Sequence, residues 1–211
     1  MSLDQEISEF TASRSIQKII GFSGGSDDNE EMLRYQVRNA MNFLVNKPIA
    51  ILSGGTKYGM PRIACEEAKR LNLPTIGVMP SRAVEKKQDI LDLDFRIIVP
   101  PRCGNSEFGD ESEVFAKIAD GIIYLGGMYG TLIEYAHVMK INQGRVKKGG
   151  KIVYVAPIQG FGGVSEFAMT LPMPEEFKKC LPENPVHSGE DAASYLLQML
   201  FPEDKSINTE L

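Results

Sequence analysis

The chain of 211 residues contains no tryptophan, three cysteines and two histidines. Cys65, Cys103 and Cys180 are scattered and show no CxxC spacing. That pattern argues against a disulfide scaffold or a zinc site and predicts reduced thiols, as in a cytoplasmic protein. His137 falls inside a helical pattern and reads as structural; His187 follows Pro185 in a loop and is assigned no role. No metal site is expected. Basic charge is also short: the net charge of −5 disfavours a nucleic-acid backbone as partner. No apolar run is long enough to span a bilayer. The acidic start, Met1 to Glu6, lacks the basic and apolar regions of a signal peptide.

What is present is apolar bulk and glycine. At 43% hydrophobic, the chain can bury a full core, and its length suits one domain over residues 1–211. Strands are predicted over 16–22, 49–52, 75–79, 95–99, 121–125 and 151–156. Helical patterns lie over 30–45, 61–71, 112–118, 131–142 and 189–201. In the first helix Met32, Leu33, Val37, Ala40, Met41 and Leu44 share a stripe. Residues 1–14 read as a loose arm or short helix, and 172–188 as a proline-rich surface segment. This alternation predicts an α/β fold of three layers: a Rossmann-like, doubly wound and mostly parallel sheet of about six or seven strands. In that arrangement ligands bind beyond the carboxyl ends of the strands, where strand order switches.

Three glycine turns sit where such a site would form. Each follows a predicted strand and precedes a predicted helix: Ser23-Gly24-Gly25, then Ser53-Gly54-Gly55-Thr56-Lys57-Tyr58-Gly59, then Gly126-Gly127-Met128-Tyr129-Gly130-Thr131. Backbone N–H groups at the positive end of a helix make an anion site, and glycine lets a ligand approach closely. The turns are expected to share one pocket for a nucleotide or related phosphorylated ligand; no other cofactor is indicated. The dinucleotide fingerprint GxGxxG is absent. Gly54 and Gly59 have Walker-like spacing, but Met60-Pro61 replaces the Lys-Ser/Thr that holds phosphate and magnesium.

On these residues the chain resembles the LOG (Lonely Guy) family, long described as lysine decarboxylase-like. Residues 53–59 look like that family's first glycine motif, and 126–134 like its Pro-Gly-Gly-x-Gly-Thr-x-x-Glu motif. The superfamily also includes molybdenum-cofactor carrier-like proteins, nucleotide-sensing domains and DNA-processing proteins. The resemblance implies a Rossmann-like fold that binds a nucleotide or phosphoribosyl group, and commonly a homodimer. The acidic balance disfavours the DNA-binding relatives.

Three departures matter. Leu125 stands in the motif's proline position. Met128-Tyr129 makes the loop one residue longer. Glu111-Ser112 occupies the place of the Arg-Lys pair of active members. A carrier or sensor is therefore the expectation. The alternative is a phosphoribohydrolase that cleaves the N-glycosidic bond of nucleoside monophosphates with a rearranged site. Glu134 is then the candidate catalytic carboxylate facing the ribose. Equally, Thr131 as N-cap with Glu134 three residues on forms a capping box. Lys57 and Arg102 are candidate ligand cations, against solvated alternatives. Arg82 and Lys86-Lys87 could reach a second phosphate or be a solvated run. Asp27-Asp28-Asn29 read as caps of the first helix.

Overall fold

The computed structural model describes residues 1–25 and 29–202. Six strands form one sheet, all pairs parallel: β1 (Lys18–Gly24), β2 (Ile49–Ser53), β3 (Thr75–Pro80), β4 (Phe95–Val99), β5 (Gly121–Leu125) and β6 (Tyr154–Ile158). Their order is β4-β3-β2-β1-β5-β6. The chain steps outward from β1 to β4, then crosses to the other side of β1. The switch point lies between β1 and β5, which pair from Ile20↔Gly121 to Gly24↔Leu125.

Parallel strands covered on both faces read as continuous apolar runs, and β2, β3 and β5 are buried along their full length. On one face lie α2 (Glu30–Leu44), α3 (Gly59–Arg70) and α9 (Gly189–Leu200), joined through Val37, Met41, Ile63 and Leu196. On the other lie α5 (Ser112–Ile118), α6 (Tyr129–Lys147) and α7 (Gly163–Thr170), around Phe115, Tyr135 and Val164. Short helices α4 (Ser81–Glu85) and α8 (Glu175–Lys178) complete the set. The stripe predicted for α2 is buried except Met32, which is 49% exposed. Asn29 caps α2 through its side chain; Asp27 and Asp28 lie outside the described residues. Between α2 and α3, the buried Glu67 meets Arg34, Arg38 and Arg70 at 2.9–3.3 Å. Arg38 foremost, with the other two, holds its carboxyl down at about 2.

Three segments refine the expectation. Of the two readings of the N-terminal residues, loose arm or short helix, the structure has the helix, α1 (Leu3–Ser13), with a Ser2–Gln5 capping box at its start and stacked through Phe10 on Phe95. Strand β6 starts at Tyr154, not 151, because Asn142 binds both the N–H and C=O of Val153 at 2.8 Å. The proline-rich segment contains α8, then runs along β6: Val155 N–H donates to Cys180 C=O and Gln159 N–H to Val186 C=O.

Gly189 opens α9 against α2. A Cβ there would run into the Gln36 carbonyl oxygen and lie 2.9 Å from Ala40 N. Gly189→Ala is expected to destabilise the fold by about 1–3 kcal/mol through overpacking. Calorimetry should show Tm falling by roughly 3–10 °C; an unchanged Tm would mean that α9 lifts from α2 without loss.

Candidate functional site

All three glycine turns meet at the carboxyl end of the sheet around one cleft of about 520 Å³. From the first turn, Ser23, Gly24 and Gly25 line it. Gly24 is required by packing, since a Cβ would strike the Leu125 carbonyl oxygen. That same carbonyl accepts from Gly25 N–H at 3.1 Å, so Leu125, in the family's proline position, ties the first turn to the third.

From the second turn only Gly54, Thr56 and Tyr58 reach the cleft. Ser53 lies behind them, fully buried, its Oγ 3.2 Å from Cys65 Sγ and accepting from Gly55 N–H. Gly55 packs on Gly77, and Gly59 opens α3. Lys57 is exposed and outside the lining; its N–H donates to Gln88 C=O. Ser53, Gly55, Gly59 and Lys57 therefore shape the turn rather than face the cleft.

In the third turn Gly127, Met128, Tyr129, Gly130 and Thr131 line the cleft, whereas Gly126 donates back to Ser165 Oγ at 3.0 Å. Helix α6 begins at Tyr129, two residues before the predicted start, and its N-cap Met128 provides no side-chain cap. This overturns the capping-box reading. Thr131 is inside the helix and its hydroxyl donates to Gly24 C=O at 3.3 Å. The Glu134 carboxylate accepts from Ser23 Oγ across the cleft floor. Helix α3 starts at Gly59, and its N-cap Tyr58 likewise provides no side-chain cap. Of the two helix starts, that of the 19-residue α6 presents its first turn to the cleft, through Tyr129, Gly130 and Thr131.

Residues not foreseen complete the walls: Phe22, Pro61, Gln88, Phe108, Phe161 and, above all, Glu111. The residue in the family's arginine position is an acidic one that lines the site. Its Oε2 accepts from Gly109 N–H at 2.8 Å. Arg102 does not take the missing cation's place. It pairs with Glu113 at 2.6 Å and donates to Asp110 C=O, bordering a separate groove beside α1. Arg82 binds Ser106 C=O and Glu107. No lysine or arginine is among the described lining residues.

Electrostatics follow from that composition. Glu134 is only partly accessible, and desolvation pushes its carboxyl up to about 8; the Ser23 hydroxyl opposes this, and nearby Glu111 adds to it. Burial also raises Glu111, against hydrogen bonds from its own backbone and Gly109 N–H. At neutral pH the cleft therefore holds a largely protonated Glu134, able to donate a proton or hydrogen bond. Burial pushes the Cys65 and Cys180 thiols up to about 11, leaving them inert. Among the described residues no cluster of His, Cys, Asp and Glu could hold a metal ion, and no helix is long and apolar enough to cross a membrane.

Residues 17–148 match the model of the SLOG cluster4 family. No curated protein matches the chain. Among solved structures, the structural-genomics target TM1055 aligns with TM-score 0.65 at 16% identity, covering 86% of this chain and 99% of that one. The molybdenum cofactor carrier protein of Chlamydomonas reinhardtii aligns with TM-score 0.61 at 20% identity, over 88% and 99%. The molybdenum cofactor binding protein of Rippkaea orientalis gives 0.61 at 18%, over 87% and 97%. At these identities the likeness establishes a shared fold.

The raised Glu134 pKa has a definite sign. The unfolded carboxyl ionises near its ordinary 4.5 and the folded one near 8. Stability is therefore greatest below about pH 4.5, falls as pH climbs toward 8, and is level above that on this account. Glu134→Gln removes the titration. Relative to wild type, its Tm is expected to be similar at pH 5 and higher by on the order of 5 °C at pH 8.5 in thermal unfolding. A constant difference across that range would contradict a buried, titrating Glu134.

Proposed function

The chain belongs to the SLOG cluster4 family, and on that premise we propose that it binds a nucleotide or related phosphorylated ligand as a carrier or sensor. One observation carries the reading: the N-terminus of α6, which its N-cap Met128 leaves without a side-chain cap, opens into one glycine-lined cleft. End N–H groups need an acceptor, and a phosphate supplies several. The neighbours whose names speak of carrying or binding the molybdenum cofactor are consistent with such a role. Three free cysteines accord with a cytoplasmic location.

The phosphoribohydrolase reading has one feature in its favour, the Glu134 carboxyl that lines the cleft and is pushed up to about 8 by burial. Against it stands Glu111 in the arginine position, with no cation among the described lining residues to clamp a phosphate. Adenine release from AMP is expected to be very slow or absent while binding persists. Robust release that disappears in Glu134→Gln, followed by chromatography, would reverse this ranking.

Ligand binding is tested by thermal shift with mononucleotides, dinucleotides, ribose phosphates and pterin phosphates. A ligand at a hundredfold excess over its Kd adds about 2.7 kcal/mol, a shift of roughly 5–10 °C. Gly127 is a poor place for a blocking carboxylate, because its φ is +93° and a Cβ would strike Thr131. Gly130 has open space. Gly130→Asp puts a negative charge in the first turn of α6, where it stabilises the helix but competes with an anion. The apo Tm is expected to hold or rise while the ligand shift disappears. No shift with any panel member, in wild type shown to be ligand-free, would sink the proposal.

We also propose a homodimer through α6. Tyr129 (77%), Leu132 (36%) and Ile133 (40%) are exposed on it, with Phe108 (47%) beside them. Light scattering should give a dimer at micromolar concentration, and Leu132→Glu a monomer of unchanged fold. A monomeric wild type would refute the assignment.

A further inference from the structure

The cleft lining carries two chemistries. The glycine turns and the N-terminus of α6 supply amide donors, with the Glu134 carboxyl beside them, bonded to Ser23. Glu111 adds a second carboxyl from the loop before α5, and no lysine or arginine is among the described lining residues. Glu111 is set in place. It immediately precedes α5 and its Oε2 accepts from Gly109 N–H at 2.8 Å. Gly109 has φ +111°, and a Cβ there would lie 3.4 Å from the Ile133 side chain, so the loop carrying Glu111 sits close against α6. Phe22, Tyr58, Pro61, Phe108 and Phe161 give the same lining apolar and aromatic surface.

We propose that Glu111 determines ligand specificity by accepting hydrogen bonds from a planar ring with adjacent N–H and NH₂ donors, as on guanine, whose single phosphate rests on the glycine turns. The proposal rests on the phosphate-binding reading above and specifies its ligand. A carboxylate takes two parallel N–H donors in a bidentate pair, and aromatic walls accommodate the ring faces. A second phosphate beside Glu111 would face a carboxyl group, with no cation among the described lining residues to neutralise it. The upward displacement of the Glu111 carboxyl has the same origin: it is buried with nothing positive before it. A pair of ligand donors would supply what that carboxyl lacks.

The arrangement also says what substitution does. Charged hydrogen bonds of this kind discriminate by about ten- to a hundredfold. Glu111→Gln keeps the side-chain shape and an oxygen for Gly109 N–H, but removes the charge and puts an NH₂ donor on one arm.

The experiment is calorimetric titration of wild type and Glu111→Gln with GMP, IMP, AMP, GTP and ribose 5-phosphate, with circular dichroism to verify folding. Wild type is expected to bind GMP ten- to a hundredfold tighter than AMP, ribose 5-phosphate or GTP, with IMP, which lacks the NH₂ group, in between. Glu111→Gln is expected to lose at least tenfold in GMP affinity while ribose 5-phosphate binds equally or more tightly, one anion having been removed. If wild type binds GMP no better than AMP, or if the variant changes all ligands alike, this inference is overturned and the phosphate-binding reading stands. If no phosphate ester binds either protein, the phosphate-binding reading falls and takes the inference with it.

Discussion

The site depends first on the parallel pairing of β1 with β5. Hydrogen bonds from Ile20↔Gly121 to Gly24↔Leu125 join strands nearly a hundred residues apart. Their carboxyl ends finish level, so the turns that leave them face each other. Ser23 thereby comes within hydrogen-bonding reach of Glu134, and Gly24 C=O within reach of the Thr131 hydroxyl. A one-residue slip would turn every side chain of β1 to the opposite face and separate both pairs.

Glycine makes this closeness feasible at two places in particular. Gly24 lies against the Leu125 carbonyl and Gly127 against Thr131, each too near for a Cβ. The main chain of both turns is thus fixed before any ligand arrives, and the amides need little rearrangement to receive an anion. The described lining joins these amides to the carboxyl groups of Glu134 and Glu111 and includes no lysine or arginine.

Much of this was legible in the sequence. Segments 95–99, 112–118 and 121–125 have the predicted bounds; the two strands among them are mostly apolar stretches that follow aspartate, Asp94 and Asp120, and stop at Pro100 and Gly126. The shared pocket followed from glycine turns placed after strands. What escaped reading was non-local. Helix α7 follows Phe161-Gly162, which resembles a loop; its first N–H groups dock on the Gly126-Gly127 carbonyls. Glu134 next to Thr131 fitted a capping motif equally well until the helix start at Tyr129 moved both into its body. Glu111 was visible as a departure from the family, but its direction depends on the 108–111 loop meeting α6. Arg102 carried a local warning: Glu113 lies close enough in sequence to pair with it, and does, while the Asp110 backbone carbonyl accepts a second bond.

The two margins of the sheet are treated differently. The outer side of β6 is occupied by the chain's own 180–186 segment, through main-chain bonds at Val155 and Gln159. At the opposite margin β4 is five residues long, carries Arg96 and runs straight into Pro100-Pro101. A short, charged strand stopped by proline is a poor template for another strand. Neither border therefore invites a neighbouring chain to continue the sheet. Growth into a continuous intermolecular ribbon is blocked at one border and discouraged at the other, which makes helical surfaces the natural route for ordered association and limits runaway stacking in a concentrated solution.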